Sequence, residues 1–399
     1  MAEVVANEIS PGGGAEGMTD EKREEAVEAL IKLAKSTEAL EVLAYGEGEE
    51  GLKGSVEEAF GSWEMGLAAA LREAAPGWRA KPRRPQPSVV ERRITEAFEH
   101  PIYVETQDGR FYSMHGPDLG VNTEGVILDE EMVVRAIHYL GSADTVGLFS
   151  SEGRYFGLDQ RMIPLWDRRE ERRSIRDILF LQGDEGIGAA VARRAMATGR
   201  VIHVTAEGKG KATEAGEFGS GLDRSGMEAF LVKDEDRLVT VLAGPTENTV
   251  FCASALGQGI HFEAEELRSM GRKAVGVNLM KLNGEEDAIV AAFLGRNVRQ
   301  IAVVTEEGYG KRVDFSEFRT QGRAGQGMQL LRLNAGDRVA GAVACNPGED
   351  LAMVTNRGRV YRIPTAELML MGRPAKGNPV VDLEEGERIG HLCALPCGG

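Results

Sequence analysis

The 399-residue sequence has few aromatic residues, few cysteines and no long apolar run. Aromatic residues make up 6% of it, and cysteine occurs four times. Because no run of about 18 apolar residues occurs, the sequence predicts no membrane span. The segment after Met1 lacks the apolar stretch of a secretory signal, so we expect a cytoplasmic protein with reduced cysteines.

Residues that commonly carry catalytic or metal chemistry are sparse and scattered. Cys252, Cys345 and Cys393 lie in apolar strand-like runs and are expected in the core. His391, Cys393 and Cys397 are potential metal ligands, but their spacing matches no zinc motif. No Gly-rich phosphate loop marks an ATP site. We therefore expect no metal, no cofactor and no catalytic residue.

Negative charge is concentrated towards the N-terminus. The net charge is −16; residues 1–150 contain 14 Lys+Arg against 28 Asp+Glu, and residues 151–399 contain 33 against 35. A protein this acidic does not adhere to nucleic acid by charge alone. Any contact with DNA would have to come from a local basic stripe in the later part of the chain.

The first 99 residues predict a helical segment and a linker. Residues 1–75 form an acidic segment with a glycine-rich, disordered start, in which Thr19-Asp20 and the Ser55/Glu58 pair are suited to cap two helices. Residues 76–99 are a basic, proline-rich linker followed by a short helix. This region shows no catalytic motif.

Six turn glycines divide the sequence from residue 101 onward, at spacings of 44, 55, 49, 51 and 50 residues. They are Gly109, Gly153, Gly208, Gly257, Gly308 and Gly358. Each lies between two strand-like runs, such as LAMVTN and GRVYRI. Ten residues after five of these glycines stands an apolar residue preceded by an acid: Asp118-Leu119, Glu217-Phe218, Glu266-Leu267, Glu317-Phe318 and Glu367-Leu368. The second unit has Met162-Ile163 there. A loop and two more strands around an acidic turn complete each unit.

Four short strands per 50 residues are typical of one β-propeller blade. A single blade cannot bury both of its faces, so the units must pack around an axis. We predict an all-β six-bladed propeller over residues 100–399, with units at about 100–143, 144–195, 196–245, 246–296, 297–346 and 347–399. The aromatic residues at strand positions are expected to pack between blades rather than to stack on bases; they are Phe111, Tyr155, Phe262, Phe315 and Tyr361.

A loop rich in glycine and arginine follows the second strand of the later units. It reads MGRKAVG (270–276), QGRAGQG (321–327) and MGRPAKG (371–377), with a weaker form SGLDRSG (220–226) and a basic run DRREERRS (167–174). Glycine permits tight turns and close approach of backbones, and an exposed arginine has donors suited to phosphate. The glycines are equally well explained by a tight loop joining two blades, so a purely structural loop remains an alternative.

The repeats VVTEEGYGKRVDFSEFRTQGRAGQG and MVTNRGRVYRIPTAELMLMGRPAKG resemble the C-terminal domain of DNA gyrase A and of its topoisomerase IV relative. The resemblance extends from about residue 100 to 395 and is strongest in the last two units. It implies a pinwheel-like β-propeller that wraps DNA around a basic rim. It also implies that Gln321, Gly322, Arg323, Gly325 and Gly327 form the gyrase-A box, with Arg323 contacting phosphate.

The sequence departs from that family in three respects. The best box lies in the fifth unit rather than the first, and Gln326 stands where the family usually has lysine. The catalytic half of gyrase A has no counterpart here, since neither an Arg-Tyr cleavage motif nor a long coiled-coil arm is visible. We therefore expect no DNA cleavage by this chain alone, and interpret it as a non-catalytic relative or as part of a split type II topoisomerase.

The predicted DNA-binding residues are the box residues and the basic residues near the turn glycines of the later units. They are Lys209, Lys211, Arg224, Arg272, Lys273, Lys311, Arg312, Arg319, Gln321, Gly322, Arg323, Gly325, Gly327, Arg359, Arg362, Arg373 and Lys376. The alternative explanation of these bases is charge that protects strand edges from aggregation.

The predicted function is sequence-tolerant binding of double-stranded DNA, bent or wrapped on the propeller rim, as an accessory to DNA topology control or chromosome architecture. Such a protein would be associated with the nucleoid. The alternative is a protein-interaction propeller that docks on a topoisomerase or another partner and has lost DNA binding. Basic residues at the boxes favour the first hypothesis, whereas Gln326 and Val275 favour the second.

Overall fold

The computed structural model describes residues 101–141, 143–167, 174–197, 199–219, 223–233 and 236–396. The predicted segments 1–75 and 76–99 lie outside these residues, as do most of the run 167–174 and the first part of the loop 220–226. The described residues all belong to one compact unit, Val89–Gly399.

Six antiparallel sheets make up the described part of the chain, five with four strands and the first with three. This confirms the prediction of an all-β six-bladed propeller. The strands of blades 1 to 3 are β1 (Pro101–Thr106), β2 (Phe111–His115) and β4 (Val134–Tyr139); β5 (Thr145–Ser150), β6 (Arg154–Asp159), β7 (Ile187–Ala192) and β10 (Asp223–Glu228); and β8 (Arg200–Thr205), β9 (Lys209–Glu214), β11 (Leu238–Gly244) and β14 (Val277–Asn278).

The strands of blades 4 to 6 are β12 (Thr249–Ser254), β13 (Gln258–Glu263), β15 (Ile289–Leu294) and β18 (Met328–Gln329); β16 (Gln300–Thr305), β17 (Tyr309–Asp314), β19 (Val339–Cys345) and β22 (Asn378–Pro379); and β20 (Glu349–Thr355), β21 (Arg359–Pro364), β23 (Ile389–Pro396) and β3 (Asn122–Ile127). The helical elements of the described residues are 3₁₀ turns of three or four residues, most of them after the second strand of a unit.

The blades do not coincide with the sequence units. In blades 2 to 5 the outermost strand comes from the following unit, so that β18 of unit 5 pairs with β13 of unit 4. In blade 6 the outermost strand is β3 of the first unit, which pairs with β21 and closes the ring. The sequence predicted that the four strands of one unit form one blade; the structure corrects this, because β3, β10, β14, β18 and β22, the third strands of units 1 and 3 to 6, each pair with the preceding blade around the ring.

The turn glycines adopt the left-handed conformation that the repeat requires. Their φ angles lie between +77° and +80°, for Gly109, Gly153, Gly208, Gly257, Gly308 and Gly358. An L-residue with a side chain is strained there. Glycine therefore recurs at this position because the hairpin between the first two strands of each unit requires a positive φ there.

The core consists of apolar clusters between neighbouring blades. The aromatic residues predicted to pack between blades are buried there, and Cys252 and Cys345 are buried with them. Arg362 also makes polar contacts at the closure of the ring. Within blade 6 it pairs with Asp350 at 2.9 Å and donates to the Pro396 carbonyl at 3.0 Å. Its bond to the Gly116 carbonyl at 2.9 Å ties the last unit to the first.

Candidate nucleic-acid interface

The three best boxes are crossover loops between neighbouring blades. Residues 270–276, 321–327 and 371–377 lead from one blade to the short strands β14, β18 and β22 at the outer edge of the preceding blade. They therefore lie along the outer edges of blades 3, 4 and 5. We call this surface, formed by the three loops and the residues beside them, the box edge.

The box at 321–327 is held against blade 4 and against β14 of blade 3 by both backbone and side chain. The Arg323 main-chain N–H donates to Glu266 Oε2 at 3.0 Å, its Nε donates to the Glu266 carbonyl at 3.3 Å, and its Nη1 donates to the Asn278 carbonyl at 3.1 Å. The Gln321 N–H donates to the His261 carbonyl at 2.9 Å. Arg323 is half-buried and thus fixes the loop to the neighbouring blade.

The box at 371–377 encloses a buried ammonium group. Lys311 is 0% exposed, and its Nζ donates to the carbonyls of Gly372 at 2.9 Å, Arg373 at 2.6 Å and Ala375 at 2.9 Å. The Arg373 N–H donates to Glu317 Oε2 at 3.2 Å. Lys376 lies over the ring of Tyr309, with its Nζ 5.1 Å from the ring centroid. The loop is therefore organised by a cation beneath it and a carboxylate beside it.

The box at 270–276 follows the same plan. Lys211 is 1% exposed, and its Nζ donates to the carbonyls of Gly271 and Arg272. The Arg272 Nε lies 3.9 Å from Glu217 Oε2. Lys273 points into solvent, with its Nζ 2.7 Å from Glu228 Oε2 and 82% of its side chain exposed.

Burial of the two lysines has an electrostatic consequence. Because the surroundings disfavour the charged form, burial lowers the pKa of both Lys211 and Lys311 to about 8. The negative charge of Glu217 raises the pKa of Lys211, and that of Glu317 raises the pKa of Lys311, so both act against burial. Both lysines are still mostly protonated at neutral pH and can satisfy the carbonyls of their boxes.

The last glycine of each box is required by a close backbone approach. A Cβ at Gly327 would lie 2.6 Å from the Gly259 carbonyl oxygen, and one at Gly276 would lie 2.4 Å from the Gly210 carbonyl oxygen. The corresponding distance at Gly377 is 2.8 Å. Since real Cβ atoms do not approach so closely, these glycines have a structural role whatever the box binds.

Several predicted DNA-binding bases are interior or engaged, which corrects their placement on the rim. Lys211, Lys311 and Arg362 are buried, with their donors directed at carbonyls or at a buried carboxylate. Arg312 is half-buried and donates to the Leu368 carbonyl at 2.8 Å. In this conformation these four side chains support the fold and do not present donors to a phosphate.

Two of the basic residues directly after the turn glycines, Arg359 and Lys209, also form ion pairs or hydrogen bonds within the protein. Arg359 lies 2.6 Å from Glu384 and 3.3 Å from Glu387, and Lys209 donates to Asn278 Oδ1 at 2.6 Å. These contacts match the alternative explanation of strand-edge charge. Both side chains remain partly accessible at the outer edge.

Among the predicted arginines, Arg224 and Arg319 are exposed. Arg319 directly follows the apolar residue Phe318 and precedes its box. Arg268, which sequence reasoning missed, has the same position after Leu267 in the preceding unit and is exposed as well. The signal was present in the repeat, because both arginines stand eleven residues after a turn glycine.

The remaining predicted box residues form the loop itself. Gly322 is exposed, Gly325 is half-buried, and the Gly325 carbonyl accepts from the Lys281 N–H at 2.9 Å. In the described part of the chain no group of three or more His, Cys, Asp or Glu side chains suits a metal ion. Within the same residues, no helix is long and apolar enough to cross a membrane.

Comparison with known proteins shows that the part of the chain that contains the boxes matches a protein family. Residues 248–295, 299–346 and 349–389 match the family described as "DNA gyrase C-terminal domain, beta-propeller". These three segments contain the three boxes together with the exposed Arg268 and Arg319. Three units of the propeller thus match this family, and the resemblance predicted from the sequence is confirmed.

Individual relatives agree with the family match. The chain is 31% identical over 257 residues to the DNA gyrase A protein of Salmonella typhimurium and 28% identical over 257 residues to that of Escherichia coli, in each case covering 64% of this chain and 29% of the relative. The chain therefore corresponds to less than a third of these relatives.

Solved structures share the fold. The structure of the DNA gyrase A C-terminal domain matches with a TM-score of 0.65 and 19% identity, covering 74% of this chain and 100% of that one. The C-terminal domain of DNA topoisomerase IV matches with a TM-score of 0.59 and 23% identity, covering 75% of this chain and 94% of that one.

Proposed function

We propose that the propeller binds double-stranded DNA along the box edge, through phosphate contacts and without reading base sequence. The observation that carries the proposal is the recurrence of an exposed arginine, Arg268 or Arg319, beside consecutive boxes within the segments that match the gyrase family. Arginine at an exposed edge donates to phosphate oxygens, and phosphates carry no direct sequence information.

The geometry of the ring favours bent DNA. The three boxes lie on the outer edges of three successive blades, and successive blades are rotated about a common axis. A duplex that contacts all three boxes must therefore follow a curved path, and phosphate contacts offset the cost of bending. We propose an accessory role in DNA topology control or chromosome architecture, in partnership with a topoisomerase.

A direct test measures both binding and wrapping. The full chain is titrated into linear duplex at low and at high salt, and nicked plasmid is ligated in its presence. We expect binding that weakens steeply with salt, because phosphate contacts release counterions, together with a shift in the linking number of the ligated plasmid. Absence of binding at low salt would reject the proposal, and binding without a linking shift would reject wrapping.

A second candidate function is a protein-interaction propeller. The observation that favours it lies at the outer edge of blade 6, where β3 takes the place that the short strands after the boxes have in blades 3 to 5. Val126 and Ile127 of β3 are exposed there, as is Val121 just before it. Exposed apolar side chains grouped on one edge are typical of a protein-binding surface. Failure of the DNA titration together with co-purification of a topoisomerase would support this candidate.

A further inference from the structure

The boxes at 321–327 and 371–377 each hold a carboxylate of the preceding unit. Glu266 Oε2 accepts from the Arg323 main-chain N–H at 3.0 Å, and Glu317 Oε2 accepts from the Arg373 main-chain N–H at 3.2 Å. The Arg373 Nε also lies 3.7 Å from the same Glu317 oxygen. Both glutamates are exposed at the surface, so a ligand arriving from solvent meets them first.

The donors that these carboxylates occupy are the ones an anion would use. In the box at 371–377, the carbonyl oxygens of Gly372 and Arg373 point inward to the Lys311 ammonium. Because the N–H of a trans peptide points opposite to its C=O, the Arg373 N–H is turned away from that ammonium. A loop with outward N–H groups and an arginine forms an anion-binding concavity.

We propose that Glu266 and Glu317 are internal competitors of DNA phosphate: each occupies the box donors until a phosphate displaces it. The inference rests on the proposed DNA binding and adds its regulation at the same site. A carboxylate oxygen and a phosphate oxygen accept the same N–H bond, and two anions repel each other at one donor group. The glutamates therefore set how tightly each box holds DNA.

The repeat supplies a matched control. Glu367 occupies the position of Glu266 and Glu317 in the sixth unit, but the loop that follows around the ring, before β3, has no box arginine. Glu265 lies beside Glu266 and is exposed. Removal of the charges at 265 and 367 changes the net charge as much as removal at 266 and 317, without freeing a box.

The test compares E266Q/E317Q with E265Q/E367Q and with the unchanged protein. Each full-length chain is titrated into a labelled linear duplex over a series of salt concentrations. Since an exposed ion pair contributes at most about 1 kcal/mol, or about fivefold, per pair, we expect E266Q/E317Q to bind about tenfold more tightly than E265Q/E367Q. Its slope of log affinity against log salt should be steeper by up to about 2, at about 0.9 per phosphate contact.

The outcomes separate this inference from the proposed function. Equal or weaker binding by E266Q/E317Q, with the unchanged protein binding DNA, would show that the glutamates position the boxes and do not compete. If no variant binds DNA at low salt, the proposed function fails and the inference falls with it. If E266Q/E317Q binds DNA while the unchanged protein and E265Q/E367Q do not, the two glutamates block binding completely, which would support the inference. Exposed Glu→Gln changes usually leave stability almost unchanged, so all variants should fold, which thermal unfolding verifies.

Discussion

Replacing Lys311 with methionine should destabilise the propeller by about 2–4 kcal/mol. The Lys311 Nζ donates three hydrogen bonds to carbonyls of the box at 371–377. Each buried carbonyl left without a donor costs about 1–3 kcal/mol. Gly372 is exposed, so its carbonyl can be hydrated, and the Ala375 carbonyl still accepts from the Arg332 N–H at 3.3 Å. Replacement by methionine also removes the desolvation cost of the buried ammonium. These effects bring the sum down to the stated range.

Urea unfolding monitored by circular dichroism measures this loss. Lys281→Met is the control, because Lys281 is exposed and such a change usually costs no more than about 0.5 kcal/mol. Lys211→Met should resemble Lys311→Met, since Lys211 has the same position beneath the box at 270–276. If Lys311→Met unfolds at the same urea concentration as Lys281→Met, the buried lysines do not stabilise the boxes.

Three further predictions concern the fold and its closure. Gly327→Ala should lower the free energy of unfolding by about 2–4 kcal/mol, because Gly327 has a positive φ and an added Cβ would lie against the Gly259 carbonyl. An unchanged urea midpoint would contradict this. Arg362→Met should lower the free energy of unfolding by about 3–5 kcal/mol, because it removes the guanidinium partner of the buried Asp350 carboxylate; calorimetry measures this loss, and an unchanged melting temperature would contradict it. The unfolding free energy should fall as the pH drops from about 6.5 to 4. Burial lowers the pKa of His391 to about 4 and that of His203 well below its ordinary value, so the unfolded chain takes up these protons first. His391→Gln should reduce the slope of unfolding free energy against pH by at most about 1.4 kcal/mol per pH unit. An equal slope for the variant and the unchanged protein would contradict the role given to His391.

The fold was predictable because backbone constraints recur visibly in the sequence. All six turn glycines have positive φ, and their period alone indicates small repeated sheets. The exchange of the outer strand was not predictable in the same way. In blades 3 to 5 the exchanged strand has two residues, too short to show an alternating pattern, and its partner is chosen by tertiary packing.

The candidate site was predictable in position but not in detail. The boxes lie at an outer edge, as expected, yet Lys211 and Lys311 are buried beneath them. A signal existed: three residues after the turn glycine, other units have Tyr112, Ile260 or Tyr361, which are core residues. A lysine at a core position indicates a buried ammonium with several acceptors, whereas its charge alone suggested a phosphate contact.

The periodic acid before the apolar residue was visible in the sequence, but its role was not. Glu266 and Glu317 reach the box of the following unit, more than 50 residues away along the chain. Such a contact depends on the crossover of the outer strand. Sequence spacing places the acid in its own unit and cannot show which neighbouring loop it meets.

The most direct test of DNA binding at the box edge is the salt dependence of a triple variant, R268Q/R319Q/K376Q. Its control is K233Q/R237Q/R296Q, which removes three exposed bases from connections without a box. We predict that the slope of log affinity against log salt falls by about 2–3 for the first variant, at about 0.9 per lost phosphate contact, and stays within about 0.5 of the unchanged protein for the control. Equal slopes for the two variants would contradict the assignment of the box edge as the DNA-binding surface.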